Sequence, residues 1–338
     1  MQSTIEKKRL AILRVLHEYN NEAIGSNVIT EKLTEMGYDI SERTVRFHLL
    51  SMDKAGYTEY LPKRGRRITQ KGIAEMSRAR VYEKVGFLST KIDRMTYRMN
   101  FDPSKRDGTV VINTSLIEIK YLKKACPLMC KILRSGLGMG KLLTFFLPGE
   151  ELEQLTVPEG YIGIGTVCSI TINGILLAQG IPTRSRFGGL LEIEHGKPSR
   201  FVALINYDGT SLDPLEIFMK SGMTDYTGAV ENGSGLIGAS FREMPAESRD
   251  TVVEIAEKLT TIGLGGFMEI GYPGNPLCEI PVTEGSFGSV IVGGLNTVGI
   301  IEESGIEVFS KALSGLVDFK RLFSFEEIEE RVNSILKS

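Results

Sequence analysis

Tryptophan is absent from the 338-residue chain, histidine occurs three times (His17, His48, His195) and cysteine four times (Cys126, Cys130, Cys168, Cys278). These imidazoles and thiols have no zinc-type spacing, so no set of about four ligands for a structural metal is assigned. Reduced thiols in a reducing compartment are expected. No run of about 18 uncharged apolar residues occurs, which excludes a transmembrane helix. The charges between Met1 and Arg9 stand where a signal peptide needs its apolar stretch. These absences predict a cytoplasmic chain with no membrane partner. A dinucleotide-type Gly-x-Gly-x-x-Gly with its flanks and a Gly-Lys-Ser/Thr phosphate loop are also missing. A Cys168–His195 pair would lack a third orienting group. No catalytic residue and no cofactor is assigned, and an enzyme is not expected.

What is present is ordinary for a folded chain: 42% hydrophobic and 24% charged residues, with 37 glycines. The length predicts two or three domains. The net charge of −2 hides an asymmetry, because residues 1–80 carry 15 Lys and Arg against 10 Asp and Glu. A basic head on an acidic body suggests a nucleic-acid contact at the head.

Residues 3–20 read as an amphipathic helix, capped by Ser3 or Thr4, with Ile5, Leu10, Ile12, Leu13 and Leu16 inward and Asn20-Asn21 at its end. A second helix runs from about Ser26 to Gly37. Ser41 then caps a third, Glu42 to Ala55, stopped by Gly56. Its outward side chains Arg43, Thr44, Arg46 and Phe47 stand where a recognition helix meets base edges and phosphates. A strand, Tyr57 to Leu61, leads into the basic turn Lys63-Arg64-Gly65-Arg66-Arg67, whose four cations suit a wing. Any one of these charges taken alone is better read as a solvated helix or turn charge. The order helix, helix, capped helix, strand, basic turn is that of a winged helix-turn-helix. DNA is its expected ligand, with RNA or protein as the other readings.

The body repeats itself. Pro148–Ile181 and Pro273–Ile306 align without a gap at a shift of 125, and twelve of 34 positions are identical, among them Gly163/Gly288, Val167/Val292 and Gly174/Gly299. The same shift pairs Ser115 with Ser240, Glu118 with Glu243 and Gly138 with Gly263. Two copies, about 108–185 and 233–310, are therefore expected. Each reads as a short strand (Thr109–Asn113; Leu236–Ser240), a helix (Leu116 to about Ser135; Ala246–Thr261), an apolar strand (Leu142–Leu147; Gly266–Gly271) and a Gly-punctuated β segment. The intervening 186–232 looks mainly β. The fold class is α+β: an N-terminal winged helix-turn-helix followed by an internally duplicated mixed α/β domain. The expected divisions are 1–80 for the head, 81–107 for a helical connector, 108–312 for the duplicated domain and 313–338 for a C-terminal helical tail opened by the capping box Ser324 to Glu327. Two copies related by a pseudo-two-fold axis would form a cleft where they meet.

Gly163 to Gly174 reads as one strand, with Thr166 and Cys168 on one face and Val167, Ser169 and Asn173 on the other. Its counterpart brings Gly293 and Gly294 opposite Cys168 and Ser169, where glycine lets backbone N–H groups approach a small anion. Arg184 supplies a cation. A buried strand with glycine at bulges is the equal alternative.

The strings Gly165-Thr166-Val167-Cys168-Ser169-Ile170-Thr171-Ile172-Asn173-Gly174-Ile175-Leu176, Phe187-Gly188-Gly189-Leu190-Leu191-Glu192 and Tyr207-Asp208-Gly209-Thr210-Ser211-Leu212-Asp213-Pro214-Leu215-Glu216 resemble the nitrogen-regulation repressors of methanogenic archaea, the NrpR family. The resemblance covers nearly the whole chain. It implies a homodimeric repressor of nitrogen-assimilation genes that binds double-stranded operator DNA and is released by 2-oxoglutarate. The effector contacts it suggests are Thr166, Cys168, Ser169 and Arg184, with Gly293, Gly294 and Asn296 from the second copy. Some family members carry two regulatory domains in tandem and this chain carries one, so a second family member lacking the head is a further expected partner that shares or performs the sensing. The alternative from another class is an RNA-directed winged helix joined to an enzymatic or ligand-binding oxo-acid domain.

Overall fold

The structure is a computed structural model and describes residues 2–19, 22–76, 87–153 and 155–337, without the side chains of residues 2–7 and 87. The expected caps Ser3 and Thr4, the stop at Asn20-Asn21 and residues 81–86 of the connector lie outside that description. The chain divides into two units, 1–85 and 86–338.

The head holds helices α1 (Gln2–Glu18), α2 (Ser26–Glu35) and α3 (Glu42–Ala55), the hairpin β1 (Thr58–Leu61) and β2 (Gly65–Ile68), and a helix α4 described over 70–76. Local chemistry sets α3. The Ser41 side chain accepts the Thr44 N–H, Glu42 opens the first turn, Lys54 closes the last, and Gly56 takes the left-handed conformation at φ +75° that ends it. Leu10, Ile12, Leu16, Ile29, Leu33, Val45, Leu49 and Met52 pack into a core separate from that of the body.

The body opens with α5 (Phe87–Arg98). Its first copy continues with β3 (Thr109–Glu118), α6 (Leu122–Arg134), β4 (Leu142–Phe146), the small hairpin β5 (Glu151–Leu152) and β6 (Leu155–Thr156), β7 (Tyr161–Val167), α7 (Ile170–Ala178) and β8 (Arg184–Glu194). Between the copies lie β9 (Lys197–Asn206), α8 (Pro214–Lys220) and α9 (Tyr226–Glu231), so strand prevails in 186–232 as expected, with two short helices after 206. The second copy is β10 (Gly235–Pro245), α10 (Arg249–Thr261), β11 (Phe267–Ile270), β12 (Ser286–Val292), α11 (Asn296–Glu303) and β13 (Phe309–Asp318), followed by β14 (Phe323–Ser324) and α12 (Ile328–Ile335).

The two five-stranded sheets run β13-β3-β7-β4-β14 and β11-β12-β10-β8-β9. Each copy therefore gives its last strand to the other's sheet: β8 pairs with β10, and β13 pairs with β3. The copies are interlocked, and β13 runs through the expected boundary at 312. Residues 313–338 are no tail, because Leu313, Val317, Phe323, Phe325, Ile328 and Val332 are buried in the body's core. Likewise α5 belongs to the body and not to a free connector, since Leu88, Ile92 and Met95 sit in that same core.

Sheet register also corrects the alignment. Ser115 lies across from Ile164, and Arg242 lies across from Ser289. Ile164 and Ser289 are 125 apart, so the counterpart of Ser115 is Arg242 and not Ser240. The first strand and helix of the copies are thus offset by two residues more than the rest, and Gly136 pairs with Gly263 as the glycine after each helix, both at positive φ. Strand pairing also carries β3 through Glu118, where a helix was expected from Leu116. Close approach explains two of the shared glycines. A Cβ at Gly163 would press on Phe146 and Val157, and one at Gly288 on Phe241 and Val282.

Candidate nucleic-acid face and ligand cleft

On the head, Arg43 is exposed and makes no ion pair or hydrogen bond among the described residues. Phe47 is 69% exposed beside it on α3. Thr44 helps build the cap, its hydroxyl 2.9 Å from that of Ser41. Arg46 is exposed but held, donating to Glu42 at 2.7 Å and to the Ser26 hydroxyl at 3.0 Å. The wing divides into two pairs of cations. Lys63 and Arg64 occupy the exposed turn itself, with Lys63 at φ +64°. Arg66 and Arg67 are already in β2, because the bend precedes Gly65. Arg66 is committed to Asp53 at 2.8 Å and lies over the Tyr60 ring, and Arg67 pairs with Glu59 at 2.9 Å. The expected four-cation tip is a two-cation tip backed by two cross-braced arginines.

In the body, the expected strand from Gly163 to Gly174 ends at Val167, and a helix begins at Ile170. Every residue from Ile170 to Leu176 is buried, so this stretch of α7 carries no helical period to distinguish it from a buried strand. Cys168 and Ser169 form the turn between them. The matching turn of the second copy is Gly293-Gly294, as expected, and the two turns touch. A Cβ on Gly294 would lie 2.5 Å from the Asn113 amide and 2.6 Å from the Val167 carbonyl. Gly294→Ala is expected to destabilise the body by roughly 1–3 kcal/mol through overpacking. The check is chemical denaturation, where an unchanged midpoint would mean that the turns are not in contact.

This contact zone is a packed centre and not a pocket. The void lined by Cys168, Ser169, Asn113 and Gly294 measures about 20 Å3, no more than one water's space. Asn296 is fully buried and spent on structure, donating to the Leu137 and Gly238 carbonyls at 2.9 Å and accepting from Tyr226. Gly293 is wedged against Asn296 and the Gly238 carbonyl. The Thr166 hydroxyl is buried without a partner. Burial pushes the Cys168 thiol up to about 11, so it is protonated at neutral pH, and His195 sits on the β8–β9 turn, away from the residues lining the Cys168 void.

Of the expected effector residues only Arg184 lines open space: a cleft of about 740 Å3 walled by α5 (Ser89, Ile92, Asp93), α7 (Asn173), the start of β8 and the end of β10. Arg184 is exposed and unpaired among the described residues. Arg186 is bound to Glu243 at 2.9 Å and to the Pro281 carbonyl at 2.7 Å. Thr283 donates to both Glu243 oxygens from its N–H and hydroxyl. Asn173 donates to Ser185 at 3.0 Å, and its own oxygen is buried without a partner.

Two charged groups, buried Arg242 and half-buried Glu216, were given no role by the sequence reading. Arg242 is 1% exposed, with a single hydrogen bond from Nη1 to the Ser169 carbonyl at 2.9 Å. Burial lowers its guanidinium to about 10, so it remains cationic at neutral pH. Glu216 accepts from the Ala312 N–H in β13, and burial followed by the Asp213 charge raises its carboxyl to about 7, partly offset by Lys91 and Lys220. A raised carboxyl stabilises fully below its unfolded value, and that contribution is lost as pH rises through about 7. Glu216→Gln is therefore expected to gain roughly 1–2 kcal/mol over wild type at about pH 8.5 and little at about pH 5. Denaturation midpoints at the two pH values test this, and a pH-independent difference would contradict it.

A winged-helix head joined to a separate, duplicated body with a polar cleft defines a two-part regulator rather than a single folded module. The comparisons agree for both parts. Residues 85–324 match the family model for NrpR regulatory domains NRD1 and 2, and residues 10–76 match that of the ribonuclease R winged-helix domain. The chain belongs to the NrpR family and is a nitrogen-regulating transcriptional regulator. It is 35% identical to the global nitrogen regulator NrpRI of Methanosarcina mazei, over 95% of this chain and 99% of that one. It is 31% identical to the global nitrogen regulator NrpR of Methanococcus maripaludis over 97% of this chain, but spans 56% of that protein's length. A crystal structure of a nitrogen repressor-like protein from Methanococcus jannaschii is similar at a TM-score of 0.59 and 31% identity, covering 70% of this chain and 97% of that one. No helix among the described residues is long and apolar enough to cross a membrane.

Proposed function

We propose that the chain is a homodimeric repressor that binds operator DNA of nitrogen-assimilation genes through its head and releases it when 2-oxoglutarate occupies the body. The observation that carries the DNA half is the head's free cations, Arg43 on α3 and Lys63 and Arg64 on the wing, in a chain similar end to end to a named nitrogen regulator. The recognition helices of a dimer would enter major-groove half-sites about one helical turn, or a multiple of it, apart.

The cleft at Arg184 replaces the Cys168 centre as the effector site, because a dicarboxylate fits in about 740 Å3 and not in about 20 Å3. Ser89, Ile92 and Asp93 of α5 wall that cleft, and α5 is the first described element after the head. A ligand held against α5 favours one placement of that helix. It shifts DNA affinity to the extent that it binds the two placements unequally. A second family member lacking the head would share the sensing.

The test is a fluorescence-anisotropy titration at fixed salt onto duplex from the gene's own nitrogen-assimilation promoters, onto random duplex and onto structured RNA, with and without 2-oxoglutarate. Operator binding about 10³-fold tighter than random, and weakened by 2-oxoglutarate, is expected. Equal affinity for operator and random duplex would contradict the repressor reading. A preference for RNA would favour an RNA-directed head, which the likeness to a ribonuclease winged helix makes the second reading.

A further inference from the structure

We propose that Arg242 is the buried anchor of the cleft, a guanidinium that takes one carboxylate of a small dicarboxylic oxo-acid. This rests on the reading that the body binds such an effector, and it assigns the residue that does so.

Arg242 is buried to 1% exposure, yet Nε and Nη2 have no partner. Those two nitrogens form one edge of the guanidinium, the edge that holds a carboxylate through two parallel N–H···O bonds. Among the described residues no carboxylate is ion-paired with Arg242, whose one hydrogen bond goes to the Ser169 carbonyl. The groups acting on Arg242 are Tyr207 and Cys168, and its neighbour Glu243 is spent on Arg186 and Thr283. A buried charge without a counter-ion is strongly unfavourable, so something must compensate it.

The fold does not require an arginine there. The equivalent position of the first copy is Ser115, whose hydroxyl closes the same strand pair against Ser310 at 2.8 Å. The arginine is confined to the copy beside the cleft. Across the strands from Arg242 lie Ser185 and Ser289. Ser185 lines the cleft and holds Asn173, which lines it too. The oxygens of Asn173, Ser240 and Ser289 are also buried and unpartnered. Arg242 thus shares a strand pair with a residue of the cleft wall, and Tyr207, which acts on its guanidinium, lines the cleft as well. A carboxylate that displaces the Asn173–Ser185 bond reaches the unpartnered guanidinium edge, and the second carboxylate falls to Arg184 at the rim, in register beside Glu243.

The test is calorimetric titration of the full chain with 2-oxoglutarate, glutarate and the monocarboxylate 2-oxobutyrate. Arg242→Met is expected to fold with a Tm no lower than wild type, because it removes an uncompensated buried charge, and to lose 2-oxoglutarate affinity by about 100-fold. Arg242→Lys keeps the charge without the fork and is expected to lose about 10-fold, which keeps the test available should the Met variant misfold. Arg184→Ala is expected to narrow the preference for dicarboxylates over 2-oxobutyrate. Wild-type affinity in folded Arg242→Met, or in Arg242→Lys, overturns the anchor alone. A wild-type chain that binds none of the three acids overturns the anchor and the sensing reading together.

Discussion

A chain cut after Val308 is expected to lose its folded body and keep its folded head. The cut removes β13, β14 and α12. β13 is the strand that the second copy lends to the first, paired with β3 from Phe309↔Leu116 to Asp318↔Thr109. Without it β3 becomes a bare edge inside the core, although Val110, Val111 and Ile112 are fully buried. The core also loses Leu313, Val317, Phe323, Phe325, Ile328 and Val332. At roughly 1.5–3 kcal/mol per buried large apolar side chain, six of them are comparable to the whole stability of about 5–15 kcal/mol of an ordinary domain. The head has its own core and needs none of these residues. Limited proteolysis of the cut chain should leave a fragment near residues 1–80 and degrade the rest. A soluble product whose body melts cooperatively would show that the strand exchange does not hold the copies together.

The second large effect concerns the head. Arg43→Ala is expected to weaken operator binding by about 10- to 100-fold and random duplex much less, as for a side chain that reads a base edge. Lys63→Ala combined with Arg64→Ala should weaken both duplexes alike and reduce the salt slope by about 2, as for two phosphate contacts. Arg66→Ala separates the wing tip from its brace. Arg66 holds Asp53 and lies over Tyr60, so its loss is expected to lower the stability of the head more than the salt slope. Anisotropy titrations over a salt series and a thermal melt distinguish the three. Equal losses on operator and random duplex for Arg43→Ala would count against base reading.

The head was legible because its signals are local. Ser41 and Gly56 bracket α3 within fifteen residues, and Leu10, Leu33, Val45 and Leu49 recur at helical spacing and are all buried. The duplication was legible because glycines pressed against Phe146 and Phe241 recur at the same place in each copy. The exchange of β8 and β13 was not, since it depends on long-range pairings, from Ile193↔Gly235 to Asp318↔Thr109, that no local pattern encodes. The turn at Cys168-Ser169 was hidden for a different reason. Ile170 to Leu176 is buried on every side, so it shows neither the period of a half-buried strand nor that of a surface helix. Arg242 was missed because the shift of 125 set Ser115 against Ser240. At a shift two residues larger, an arginine falls opposite a buried strand serine, and a charge on a buried strand is the signal that would have drawn attention to it.

Effector and operator binding are coupled in this account, and coupling is reciprocal: each ligand changes the other's affinity by the same factor. The most direct measurement is therefore the calorimetric affinity of the full chain for 2-oxoglutarate, taken once alone and once saturated with operator duplex at the same salt. The account predicts weaker binding in the presence of operator, by the factor with which 2-oxoglutarate weakens operator binding. An affinity unchanged by operator would show that this chain does not itself link effector to DNA.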